Sequence, residues 1–71
     1  MTQRKREYVD RQILAAKRAD SVLLMGVYLG GALSALEFFE REDGADADII
    51  RYRSIVNHLL RMAAGEEAQA G

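Results

Sequence analysis

The chain has no cysteine, no proline and no tryptophan, and it holds one histidine. Without cysteine there is neither a disulfide nor a thiolate, and one histidine falls short of the four nitrogen or sulfur ligands of a structural zinc site. Without proline, only glycine and short polar side chains are left to interrupt a helix. Charge of one sign is not in excess: ten basic residues against eleven acidic ones give a net charge of −1, so no global field draws the chain to nucleic acid or acidic lipid. The parts of an active site are also missing. His58 falls on the polar face of its helix with no serine set against it as a triad. Gly30-Gly31 is followed by Ala-Leu-Ser and not by the lysine of a phosphate loop. The carboxylates Glu37, Glu40, Glu42 and Asp43 lack the Glu-x-x-His pattern of di-metal bundles. These absences predict a protein that is not an enzyme and takes no cofactor and no metal.

At 71 residues the chain makes one domain, and a chain this short buries only about 60% of the surface it exposes when unfolded. Small domains compensate with disulfides, metals or oligomerisation, and here only oligomerisation remains. The basic start MTQRKREYVDRQ is not followed directly by a cleavable apolar segment, so it does not read as a secretory signal, and a cytoplasmic location is expected.

The most distinctive segment is the uncharged run SVLLMGVYLGGALSAL, Ser21 to Leu36. The pattern predicts an all-α protein with a long helix over about 3–42, a loop over 43–47 and a second helix over about 48–64, residues 1–65 forming the domain and 66–71 a flexible tail. Asp43-Gly44 signals the loop, Asp46 or Asp48 caps the second helix, and Gly65 stands where a terminating glycine belongs. The second helix carries one apolar stripe, Ile49, Tyr52, Val56, Leu59 and Ala63, and the long helix a matching one, Val22, Met25, Leu29, Ala32, Leu36 and Phe39. Both follow three-and-four spacing, so an antiparallel hairpin between them is expected. Two positions threaten the long helix: Asp20-Ser21, which can cap a new helix, and Gly30-Gly31, which can kink it.

A second stripe on the long helix has no partner in that hairpin. Val9, Ile13, Ala16, Asp20, Leu23, Val27, Gly30, Ser34 and Phe38 form a coiled-coil-like seam, and its expected occupant is another copy of the same helix. Charge sets the orientation. Residues 1–20 hold six basic and three acidic side chains, and residues 37–48 hold six acidic and one basic. An antiparallel pair centred near Leu23 places Val9 against Phe38 and Arg4–Arg6 beside Glu40–Asp43, so an antiparallel homodimer of four helices is predicted.

Leu24, Tyr28, Gly31 and Ala35 fall between the two stripes, and with Glu40 and Asp43 they are the expected surface for a protein partner, the acids steering a basic target. In size, charge blocks and lack of catalytic groups the chain resembles small helical inhibitors encoded by bacteriophages and mobile elements, which implies modulation of a host regulator or defence protein. Two other readings stay open. Arg51, Arg53, His58 and Arg61 form a basic helix face, and a dimer of hairpins is similar in size and architecture to the plasmid Rop family, which implies RNA or DNA binding. The apolar run with Gly26-x-x-x-Gly30 also fits a small membrane protein, although it is shorter than the roughly 20 residues of a span.

Overall fold

The computed structural model describes the backbone of residues 1–70 and the side chains of residues 1–65. Three helices and no strand make up this region: α1 (Gln3–Lys17), α2 (Val22–Asp43) and α3 (Ala47–Ala70). They form an elongated bundle of 40 × 17 × 14 Å. α1 and α3 each run antiparallel to the central α2, and they touch one another mainly near their N-terminal ends.

The single long helix expected over 3–42 is therefore two helices, broken at 18–21. Arg18 ends α1, its N–H donating to the carbonyl of Leu14 at 3.1 Å. Ser21 then takes extended backbone angles, and its hydroxyl accepts from the N–H of Leu24 at 3.1 Å. A serine in this position satisfies one of the free N–H groups of a new helix, which a continuous helix would not need. Gly30-Gly31 lies within α2 without interrupting it. α2 ends at Gly44, whose φ of 79° lies in the left-handed region that favours glycine and whose N–H donates to Glu40 at 2.7 Å.

Asp46 starts α3, its carboxylate accepting from the N–H of Ile49 at 2.9 Å. The helix does not stop at Ala64 as expected. Gly65 is not in the left-handed conformation a capping glycine adopts, and α3 continues through the next residues, Glu-Glu-Ala-Gln-Ala, which are good helix formers. The expected tail over 66–71 is thus helical to Ala70, and Gly71 lies outside the described residues.

The core joins all three helices: Val9, Ile13 and Ala16 from α1, Leu29, Ala32 and Leu36 from α2, and Ile49, Tyr52, Val56 and Leu59 from α3. The α2–α3 half is the hairpin expected from the matched stripes. Leu29, Leu36, Ile49, Val9 and Val56 are fully buried, each burial contributing about 1.5–3 kcal/mol relative to exposure. Polar links close the N-terminal end. The Met1 ammonium sits 2.6 Å from Asp46, Arg6 lies 3.2 Å from Asp48, and the hydroxyl of Tyr52 donates to Asp10 at 2.8 Å.

Candidate functional site

α2 has more apolar surface than its neighbours cover. One face supplies Leu29, Ala32 and Leu36 to the core, and α1 and α3 pack along its flanks. The face pointing away from the core carries Leu23, Val27 and Phe38, exposed by 82%, 62% and 57%, with exposed Gly30 and Ser34 between them. These five residues fall on one side of a helix with 3.6 residues per turn. They are the downstream half of the predicted seam.

The upstream half is elsewhere. Val9, Ile13 and Ala16 are buried in the core of the same chain, so the continuous seam of one long helix against a second copy does not form in that shape. The corner at 18–21 turns α1 back along α2, and its apolar stripe is consumed internally. Charge follows the same course. Lys5 lies 2.6 Å from Asp43 and 3.5 Å from Glu42, with its ammonium 5.1 Å from the centre of the Phe39 ring. The attraction between the basic start and the acidic 40–43 segment is thus satisfied within one chain.

The expected partner-binding residues divide in two. Gly31 and Ala35 help line an open groove of about 590 Å³ between α1 and α2, with Tyr8, Ser34, Phe38 and Phe39 as its other walls. Leu24 is exposed and Tyr28 half-buried, and neither lines that groove. Glu40 is paired with Arg53, and Asp43 with Lys5, so the acidic patch expected to steer a basic target is largely neutralised by the chain's own cations. Tyr8 is the residue the sequence reading passed over. Its ring stands edge-on to Phe39 with centroids 6.5 Å apart. The signal was the spacing of Lys5, Tyr8 and Gln12 by three and four, which sets them along the flank of α1 that meets α2.

Toward the other end of α2, Gly26 creates a shallow hollow of about 380 Å³ walled by Val22, Leu23 and Val27. A Cβ built on Gly26 or on Gly30 would meet nothing within 4 Å, whereas one on Gly31 would meet the Gln12 side chain at 3.6 Å. Nothing inside the chain therefore calls for glycine at 26 or 30, where alanine would favour the helix by about 1 kcal/mol. Asp20 and Arg41 stand beyond the two ends of the exposed stripe; both are exposed, and neither has an ion-pair partner among the described residues.

The basic face of α3 is thinner than expected. Arg51 reaches Asp48 at 3.4 Å and lies over the Tyr52 ring, and Arg53 is held by Glu40. His58 and Arg61 remain exposed. No group of three or more His, Asp or Glu side chains comes together to hold a metal among the described residues. Two titrating groups feel their surroundings. Burial, and then the Asp10 carboxylate, pushes the Tyr52 hydroxyl above the usual tyrosine value. The Met1 ammonium, and then the Ile49 N–H, holds the Asp46 carboxyl below the usual aspartate value.

These features define a three-helix bundle with one apolar helix face left open and an aromatic groove beside it. Comparison with protein-family models, with curated proteins and with solved structures gives no match.

Proposed function

We propose that this protein works by binding, as a non-catalytic helical homodimer in the cytoplasm that modulates or inhibits another protein. The observation that carries the reading is the exposure of Leu23, Val27 and Phe38 along one face of the central helix. Contiguous apolar surface of this kind is the usual mark of a protein-binding surface. The groove beside it adds a second contact, in which Tyr8 and Phe39 offer rigid aromatic walls to an apolar side chain of the partner. The stripe is the place for a second copy and the Tyr8–Phe39 side of the groove the place for the target, Ser34 and Phe38 standing on the border the two share. The test separates them. A protein retained from host lysate by the wild type and lost with Tyr8→Ser supports the groove as the target site. Retention that is equal for the two, or absent in both, refutes it.

One observation favours a second reading. α2 is long and apolar enough to cross a membrane by length and composition. Against a span stand Glu37, Glu40, Arg41, Glu42 and Asp43 in its last two turns and the amphipathic helices packed on its flanks. Partition of the purified chain into phosphatidylcholine vesicles, insensitive to salt and high pH, would select the membrane reading. Recovery in the aqueous phase would reject it.

A further inference from the structure

We infer that two copies join through α2 in antiparallel orientation, about a two-fold axis passing beside Gly30 and Gly31, with Phe38 of each copy seated at the Gly26 hollow of the other. The inference rests on the homodimer reading and gives it a definite interface, different from the Val9–Phe38 seam that the fold consumes internally.

Shape is the first argument. The exposed face of α2 reads, in order, large, medium, small, small, large: Leu23, Val27, Gly30, Ser34, Phe38. An antiparallel copy centred between Gly30 and Gly31 sets Leu23 opposite Phe38 and Val27 opposite Ser34, so a bulky residue never meets its own kind at the middle. Side chains on a helix lean toward its N-terminus. In an antiparallel partner this tilt carries the Phe38 ring from the level of Leu23 toward Gly26, where the hollow of about 380 Å³ lies open. At the centre, Gly30 has nothing within 4 Å of the position of a Cβ, which allows two backbones to approach closely. The absence of any internal need for glycine at 26 and 30 is then explained: both are required by a neighbour.

Charge is the second and independent argument. The same alignment brings Asp20 of each copy, in the corner just before α2, to the level of Arg41 of the other, and these are exposed charges without an ion-pair partner among the described residues. A parallel pair would instead set Asp20 against Asp20, Arg41 against Arg41 and Gly26 against Gly26, repelling at both ends and leaving the hollow unfilled. The macrodipoles of two antiparallel helices also attract, whereas those of parallel helices repel.

The chain has no cysteine, so introduced thiols report without background. Val27→Cys and Ser34→Cys both replace exposed residues and leave the core intact. Under mild oxidation an equimolar mixture of the two variants should give mainly the mixed disulfide dimer, with little from either variant alone. Charge exchange gives a second readout by sedimentation equilibrium. Asp20→Arg or Arg41→Asp alone should weaken self-association about tenfold, because two attractions become two repulsions. The double variant should recover the wild-type dissociation constant within about twofold. Ready cross-linking of Ser34→Cys with itself, or a double variant no better than the singles, overturns this interface while leaving the homodimer standing. A wild-type chain that stays monomeric to millimolar concentration overturns the homodimer as well.

Discussion

Replacing Gly30 by alanine should make the single chain more stable and the dimer weaker, two effects of opposite sign from one methyl group. Gly30 is exposed in the middle of α2, and a Cβ there meets nothing within 4 Å. No contact is lost and none is strained, so the intrinsic difference between glycine and alanine in a helix interior acts alone, about 0.8–1 kcal/mol in favour of alanine. For a domain of this size that corresponds to a rise of about 4–8 °C in the thermal midpoint. In the proposed dimer the same methyl would stand at the closest approach of two antiparallel helices and appear there twice, once from each copy. Separating the backbones enough to admit both costs packing along the whole stripe, and a loss of about 1.4 kcal/mol weakens association tenfold. Thermal unfolding by circular dichroism at low micromolar concentration reads the first effect, and sedimentation velocity over a concentration series reads the second. An unchanged or tighter dimer would refute close approach at Gly30. A lower midpoint in dilute solution would refute the open surroundings of this residue.

Other changes probe the bundle itself. Leu36→Ala removes a fully buried side chain from the junction of the three helices and should cost about 2–5 kcal/mol in urea denaturation, enough to unfold much of a domain this small. Ser21→Ala deletes the hydroxyl that caps α2 and should cost about 1 kcal/mol by the same assay, with no change in the residues that line the groove. Tyr52→Phe removes the hydrogen bond to Asp10 for about 1 kcal/mol. Because the folded state holds the Tyr52 proton above its usual value, that contribution is complete below about pH 10 and disappears as pH rises through the folded value. The phenylalanine variant should therefore show a flatter alkaline limb of stability against pH. Asp46→Ala should have its counterpart at low pH. The Asp46 carboxyl is held down in the folded chain, so its stabilisation is present above about pH 4 and is lost as pH falls through the lower folded value.

The α2–α3 hairpin was readable from spacing because both stripes are unbroken and nearly equal in length. A cap at Asp46 or Asp48 and a loop at Asp43-Gly44 were readable because each residue type solves a local hydrogen-bonding or conformational problem, and the chain uses Asp46. The second stripe was readable as a stripe but not in its destination. Periodicity reports that Val9 must be covered and carries no information on whether the cover comes from the same chain. The pairs that charge and register proposed between copies, Arg4–Arg6 beside Glu40–Asp43, appear inside one chain as Lys5 with Asp43. A turn of four residues reproduces locally what a neighbour would have supplied, and Asp20-Ser21 was the mark of that turn. The groove was half legible. Gly31 and Ala35 stood out as leftover apolar positions, but Tyr8 could be placed beside them only once α1 was known to fold back.

The corner at 18–21 is the four-residue connection that turns α1 back onto its own α2. Its residues Arg18, Ala19, Asp20 and Ser21 include neither proline nor glycine, and none of them has a positive φ. Straightening them restores the unbroken helix and carries α1 away from its own α2. The same Val9, Ile13 and Ala16 can then settle on the α2 of a neighbour with every apolar contact kept. Short hinges with this equivalence are the usual route to domain exchange. An exchanged dimer of that kind would differ from the single bundle in one turn of backbone, and the helical preference of four residues would set the balance between the two.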